Sequence, residues 1–476
     1  MKKVEDLKFS IKNFIIKSLE NFDEIISVSI PGSFEKKVDI SIISDIDVVI
    51  IVKKLNKNLF NNIIKKFHVQ GCQISLDDYS VIVNSTFGPL KFNDKKTVVF
   101  HVMIYDINGH REHVIKSPFT CYDWEKSKPI IGKSLSDIYT ALPLQLNDLV
   151  SSRRSLISYI DDIEKENISY RKYLFKGDDV LIEKLNYKMD DRMKMEYIFH
   201  TIKFILLNMM KILKQKNLEY SELQIIKNFS LEGYDKRKIG EILNNLYLWK
   251  YKKNLIIQNT IKPIKKELFD LSDTYLRFVN KLPIVNFIRH KKTQFNDGTF
   301  LGIGRNPDII DKIKFDDQEY ELIYSSKMKR AISTAKLLNG NEIIEDSLIN
   351  EIDYGEAEGM TYLDLIKFHP QIKKQWDLKN DPKFPSGENS RDVLTRLNKF
   401  LKKNILNTKI KKIGVVTHNV VIRILLSKLY KIELNLNYKF IVENCEIISF
   451  RVFRGNIIPQ LNHDQRIKFR DNITSE

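Results

Sequence analysis

The chain has 476 residues, 43% hydrophobic and 29% charged, with a formal net charge of +17 and a pI near 9.3. That length suggests about three domains of ~150 residues with ample core, and the composition is that of a soluble globular protein. Its longest apolar run, near FILLNMMKIL, is too short and too interrupted to span a bilayer.

The positive balance admits a nucleic-acid partner. However, lysine, isoleucine and asparagine are spread over every segment, as in a chain from an AT-rich genome, which argues against a dedicated basic surface. A polyphosphate substrate would also suit a positive field. Cys72, Cys121 and Cys445 are far apart and lack metal spacing, so they read as reduced thiols. The N-terminal MKKVEDLKFS carries acidic residues where a signal peptide needs an apolar core, and a cytoplasmic location is expected.

In chain order, Leu7, Ile11, Phe14, Ile15 and Leu19 recur at helical spacing over residues 3–22. A short strand, Ile25–Ile30, then enters Pro31-Gly32-Ser33. After a polar connection, Ser44-Asp45-Ile46-Asp47 runs into the apolar strand Val48–Val52. Asp45 and Asp47, two positions apart on a strand, point to one face. Paired carboxylates are costly to hold together without a cation, and Mg2+ with its oxygen ligands resolves that conflict. Gly32 leaves the backbone open to a phosphate, and Ser33 offers a hydroxyl and an amide.

This Gly-Ser…Asp-x-Asp layout resembles the polymerase-β-type nucleotidyltransferase fold. The resemblance implies an α/β domain over residues 1–140, a nucleoside triphosphate substrate, Mg2+ and a third carboxylate on a later strand. The candidate strand, Thr97–Tyr105, has His101 in its interior and Asp106 at its far end. Three alternatives are open: Asp106 completes the metal site, His101 replaces the acid, or the module binds nucleotide without transferring it. Asp77 and Asp78 read as solvated turn residues.

Residues 141–282 read as an all-α domain, with helices at Asp148–Lys165, Met193–Lys214, Asp235–Lys253 and Pro263–Val279. Nucleotidyltransferases of this type commonly carry such a helical domain. Arg192 and His200 are near each other in sequence but lack supporting polar residues, so they read as core or surface.

Leu282-Pro283 ends that region, and βα alternation follows over residues 283–476. The strand 284–288 delivers Arg289 and His290 into a loop, IVNFIRHKKTQFN. YSSKMKRAISTA places Arg330 at a helix start, and NEIDYGEAEG places Glu351 in a glycine-marked loop. FPSGE precedes a helix carrying Arg396. IGVVTHNVVIRILL is a strand ending on His418, then a helix. A further strand is expected near 446–452. This ordered set resembles the histidine phosphatase superfamily, the branch that includes cofactor-dependent phosphoglycerate mutase. The resemblance implies a three-layer α/β domain with catalytic groups at the carboxyl ends of parallel strands.

The residue types suit phosphomonoester chemistry. Arginine grips phosphate oxygens bidentately, and a neutral imidazole, unperturbed pKa ~6.5, is a competent nucleophile at neutral pH. By resemblance, Arg289 and Arg330 hold the phosphate while His290 becomes a phosphohistidine. His418, as imidazolium, steadies the transferring oxygens, and Glu351 is the general acid. The resemblance also implies that Asn296 and Thr293 contact phosphate and brace the loop, and Glu358, the nearby alternative acid, is expected to be structural. No cofactor is implied for this domain.

Three departures stand out. Lys291 replaces the glycine after Arg-His, and Asn419-Val420 replaces a glycine pair, with asparagine tolerating left-handed backbone. The Glu351 loop lacks the mutase's Arg-His, and the domain is short. These favour hydrolysis of a phosphorylated small molecule over mutase chemistry. The expectation is a bifunctional enzyme, phosphatase plus Mg-dependent nucleotidyltransferase. The alternatives are a phosphatase regulated by a non-catalytic nucleotide-binding module, or a nucleic-acid-modifying enzyme supported only by the basic balance.

Overall fold

A computed structural model describes residues 2–32, 34, 46–71, 80–84, 97–177, 179–214, 224, 229–252 and 261–474. The chain forms two compact units, each taken by itself. One comprises Met1–Ala141, Asp148–Met210 and Leu218–Asp273; the other comprises Leu142–Asn147, Lys211–Asn217 and Thr274–Glu476. Among the described residues no helix is long and apolar enough to cross a membrane.

The first unit is built on five strands, β1 (Ile25–Ser29), β2 (Ile46–Val52), β3 (Ser80–Asn84), β4 (Thr97–Asp106) and β5 (Pro129–Gly132), in the order β3-β4-β2-β1-β5. β2, β3 and β4 are parallel, and β1 runs antiparallel to β2 and β5. Val48 to Val52 are all fully buried, as a continuous β-branched run in a sheet centre requires. The helix Lys2–Leu19 buries Ile11, Phe14, Ile15 and Leu19, the helical spacing expected of it. Phe14 meets Phe67 of the helix Lys57–Gly71 and Phe100 of β4, with ring centroids 5.7 and 5.3 Å away.

Residues 141–282 are not all helical. Helices Leu146–Glu164, Asp191–Lys214, Lys236–Lys252 and Ile261–Asn280 lie where periodicity put them. Between the first two, β6 (Asn167–Lys176) and β7 (Asp179–Lys188) form an antiparallel hairpin, paired from Asn167↔Lys188 to Lys176↔Asp179. The all-α expectation is therefore corrected. NISYRKYLFK is rich in aromatic and β-branched residues, and Gly177, at φ +60°, opens the turn. Tyr173 of this hairpin is buried, its hydroxyl bonded to the backbone of Ile104 in β4.

The second unit holds β8 (Ile284–Arg289), β10 (Leu322–Ser325), β12 (Ile343–Glu345), β13 (Lys412–Thr417), β14 (Ile447–Phe453) and β15 (Asn456–Pro459) in one sheet, ordered β12-β10-β13-β8-β14-β15. A small parallel pair, β9 (Glu319–Tyr320) with β11 (Asn339–Gly340), lies outside it. β8, β10, β12 and β13 are parallel, and the last two strands are antiparallel additions. Val285 and Phe287 pack on one face with helices Ser390–Phe400 and Asn419–Tyr430, while Ile288 packs on the other with Ala331 and Ala335. Helices on both faces make the three-layer α/β arrangement expected of this region. Asn286 interrupts the apolar strand because its amide donates to the Tyr320 hydroxyl (3.1 Å), which donates to Asp316 (2.6 Å).

Candidate active site

Three parallel strands end side by side, and each hands a polar residue to the same place. β8 ends on Arg289 and leads to His290, β13 ends on Thr417 and leads to His418, and β10 ends on Ser325 and leads to Ser326. The His290 amide donates to the Thr417 carbonyl at 3.0 Å and the Ser326 amide to the Val416 carbonyl at 3.0 Å, so the sheet ladder fixes the spacing. The two imidazoles face each other with centroids 5.1 Å apart, tilted by 60°. His290 is 3% exposed, and His418 and Arg330 are 0% exposed.

His290 Nδ1 lies 2.6 Å from the Lys291 carbonyl, which can only accept, so Nδ1 carries the proton and Nε2 keeps its lone pair. Burial, then the charges of Arg330 and Arg289, push this imidazole down to about 3 despite that hydrogen bond. Burial, Arg330 and His290 also hold His418 well below the usual histidine range. Glu351 is pushed the other way. Burial raises it above the ordinary carboxylate range, against the pull of Arg330 and of the Ile352 and Val420 amides at 3.0 and 3.5 Å.

Arg330, buried in the helix Lys329–Ala335, donates to the carbonyls of Gly302 (2.8 Å) and Arg305 (3.2 Å), and its buried Nε has no protein partner. Arg289 donates to the Val442 carbonyl at 2.6 Å, and its Nε is likewise buried and unpartnered. His418 Nδ1 completes a set of three buried nitrogens without partners. Such groups are rare in folded proteins, and an oxyanion would satisfy the two arginine donors directly.

The structure brings His290, Arg289, Arg330, Glu351 and His418 together. Asn296 and Thr293 bond to one another: the Thr293 amide donates to Asn296 Oδ1 at 2.7 Å, closing the loop after His290. Lys291 turns away, its Nζ 2.7 Å from the Ile313 carbonyl and 2.6 Å from Asp311, so its side chain ties down a neighbouring loop. Asn419 needs no left-handed backbone, because it is the first residue of its helix. Glu358 accepts from the Gly302 amide at 2.8 Å and the Gly304 amide at 3.3 Å, and so shapes the loop around Arg330.

Sequence reasoning did not find the roles of four contributors, Arg396, Gly355, Asn444 and Ser326. Arg396 donates to the Asn350 and Glu351 carbonyls at 2.6 and 3.1 Å while its fork grips Glu388 of FPSGE, which locks the Glu351 loop. Gly355, at φ +53°, makes this possible, since a Cβ there would sit 2.1 Å from the Pro385 oxygen. Asn444 donates to the His290 carbonyl at 2.7 Å, and Ser326 lies 2.7 Å from His418 Nε2. A Glu388…Arg396 pair on either side of a helix start was the one readable signal among these.

In the first unit, Ser33 and Asp45 lie outside the described residues. Gly32, at φ +90°, backs onto Asp47, whose Oδ2 would be 3.0 Å from a Cβ there. Asp47 pairs with His101 across β2 and β4, Oδ1 to Nδ1 3.3 Å. Asp106 is opposite Val52, five residues further along β4 than His101, which places it roughly 16 Å from that pair. It caps the helix Ile107–Lys116, accepting from the Gly109 amide at 2.7 Å. The expectation that Asp106 shares a metal with Asp47 is thus corrected. Among the described residues no cluster of three or more His, Cys, Asp or Glu is arranged to hold a metal ion.

Residues 313–463, which include Arg330, Glu351 and His418, match the family profile of the histidine phosphatase superfamily (branch 1). The C-terminal part of the chain is therefore a histidine phosphatase superfamily domain. Among its relatives is phosphoserine phosphatase 1 of Hydrogenobacter thermophilus, 26% identical over 193 residues, or 37% of this chain and 90% of the relative. Phosphoglycerate mutase-like protein 4 of Arabidopsis thaliana is 30% identical over 150 residues, or 29% of this chain and 62% of the relative. Of solved structures, the phosphoserine phosphatase of Entamoeba histolytica in complex with 3-phosphoglyceric acid has 23% identity and a TM-score of 0.32, covering 38% of this chain and 96% of its own.

Proposed function

We propose that the C-terminal domain hydrolyses phosphomonoesters through a phosphohistidine on His290. The observation that carries this reading is the convergence of two buried, neutral imidazoles with two guanidinium groups whose buried Nε atoms lack partners. The arginines neutralise the phosphate oxygens, without which an anionic ester repels any nucleophile. His290 Nε2 then attacks phosphorus, the P–O bond to the alcohol breaks, and Glu351 gives that oxygen its proton. Water next attacks the phosphohistidine, losing a proton to the Glu351 carboxylate, and phosphate leaves with His290 neutral again. His418 holds the phosphoryl oxygens during both transfers. A raised Glu351 suits the acid role, and a lowered His290 suits the nucleophile.

The substrate class is a phosphorylated small molecule, with phosphoserine the first to try given the relatives' names. Hydrolysis is favoured over mutase transfer because the Glu351 loop offers no second Arg-His. The test is phosphate release from a phosphomonoester panel together with acid-labile phosphoryl labelling of the chain. Both should vanish in His290→Ala. Labelling that persists in that variant overturns the assignment of the nucleophile.

For the first unit, the Asp47–His101 pair favours nucleotide binding without transfer. Mg2+ prefers oxygen ligands, and the described donors beside Gly32 are one carboxylate and one imidazole nitrogen. With Asp45 and Ser33 outside the described residues, no step is routed through a metal. Nucleotide-dependent phosphatase rates without pyrophosphate release support this reading, and steady pyrophosphate release from any NTP with Mg2+ overturns it.

A further inference from the structure

Ser326 touches the second imidazole and Asn350 holds Ser326, and neither is assigned a part in the reaction above. The Lys327 amide donates to Asn350 Oδ1 at 2.9 Å, which identifies that atom as the oxygen. Ser326 Oγ lies 3.1 Å from the same oxygen and must therefore donate its one proton there. Its other close neighbour is His418 Nε2 at 2.7 Å. With its proton already committed, the hydroxyl can only accept from the ring, and Nε2 must carry hydrogen. The Met328 amide donates to the same oxygen at 3.2 Å, which holds the serine in place. Asn350 is itself fixed, because its carbonyl takes Arg396 Nη1 at 2.6 Å.

We propose that Ser326 and Asn350 are positioning residues that lock His418 in the Nε2–H tautomer, so that oxyanion binding is coupled to uptake of one proton at Nδ1. This rests on the phosphatase reading above. In the locked ring Nδ1 is bare, fully buried and without a partner. Facing a phosphoryl oxygen, a bare nitrogen repels, whereas an N–H attracts. The proton becomes affordable only when the anion arrives, because the groups facing the ring in its absence are Arg330, His290, Arg396 and Arg289, while Glu351 is held at the Val420 amide two residues on. The ring is thus an uncharged guest among arginines until the anion makes it a donor. The proton forms an N–H bond at Nδ1 and is drawn from solvent, and no other bond changes.

The test uses the full chain and tungstate, a dianion with no proton of its own at neutral pH. Glu351→Gln serves as background so that this carboxyl contributes no uptake. Calorimetry in buffers of different ionisation enthalpy should show uptake of about one proton on binding. In Ser326→Ala the ring can turn to Nδ1–H and donate without uptake, so the linked proton should fall well below that of the parent. Ser326→Thr keeps the hydroxyl and should restore it. Nitrogen-15 spectra of the free protein should show Nε2–H for His418, giving way to a mixture in Ser326→Ala. With Glu351 intact, Ser326→Ala should lower kcat/KM by about 10-fold to 100-fold. An Nδ1–H ring in the parent, or equal uptake in parent and Ser326→Ala, overturns the proposal while leaving the phosphohistidine reading intact. Failure of the parent to bind tungstate would overturn both.

Discussion

Each unit contains a buried histidine beside a charged group, but the two environments are opposites. His290 projects from the end of β8 among guanidinium groups and donates only to a main-chain carbonyl. His101 sits within β4, its ring nitrogen occupied by the carboxylate of Asp47 on the next strand. In the first case the surroundings leave a free lone pair and a surplus of positive charge, a site that waits for an anion. In the second, the imidazole satisfies the carboxylate that a cation would otherwise need. The same residue type therefore lies in a cluster with unmet donors in one sheet and in a self-satisfied pair in the other. What decides is whether nearby buried groups lack partners.

The largest effect that tests this contrast is at the phosphate grip. Arg330→Lys keeps the charge but loses the planar fork that both holds the Gly302 and Arg305 carbonyls and faces the phosphate, and should lower kcat/KM by about 100-fold or more. Asp47→Asn in the other unit should leave the nucleotide-free phosphatase rate within about 2-fold. Comparable losses in both variants would erase the contrast.

Next comes Glu351. As a general acid it should matter most when the leaving alcohol is basic. Glu351→Gln should cost about 100-fold or more with an alkyl phosphate and far less with an aryl phosphate whose leaving group needs no proton. The pH dependence follows from the two opposite shifts. His290 is lowered to about 3, so it stays neutral down to that region, and kcat/KM should show no acid limb centred near the ordinary histidine value. Glu351 is raised, so it retains its proton above the usual carboxylate range, and activity should fall as pH rises through that elevated value. A loss in Glu351→Gln that is as large with the aryl phosphate as with the alkyl phosphate would remove the residue from the acid role.

A smaller effect concerns the loop that presents Glu351. Gly355→Ala forces a Cβ against the Pro385 oxygen at a positive φ, and should destabilise the domain by about 2 kcal/mol or more in denaturant melts. The wild-type midpoint retained in that variant would show that the loop is free to move.

How much of this was legible in the sequence depends on distance along the chain. Strand β8 and the placement of Arg289, His290 and His418 were readable because each of these residues follows a β-branched run, and the strand's own register does the positioning. The roles of Lys291, Ser326 and Asn350, and the reach of Arg396 to the Glu351 loop, were not readable. Each is defined by a partner 20 or more residues away, such as Lys291 with Ile313, Ser326 with His418 and Arg396 with Asn350. The hairpin β6–β7 was misread as helix because lysines mask a period of two as readily as one of 3.6. Asp106 was misplaced for a related reason. Its position on the right strand was correct, but only the pairing of Val52 with Asp106 shows that it lies at the wrong end.

That last residue yields the smallest and sharpest prediction. As an N-cap, Asp106 contributes a carboxylate that accepts the Gly109 amide at 2.7 Å, worth about 1 kcal/mol to the helix that follows. Asp106→Asn keeps an oxygen in place and should leave the melting midpoint nearly unchanged, whereas Asp106→Ala should lose about that 1 kcal/mol. Neither variant should alter Mn2+ affinity measured by electron paramagnetic resonance on the full chain, because roughly 16 Å of strand separates Asp106 from Asp47. A metal ligand would give the reverse pattern, with Asn and Ala both weakening the ion. Loss of Mn2+ binding in Asp106→Asn with stability unchanged would therefore restore the metal role and dissolve the contrast between the two units.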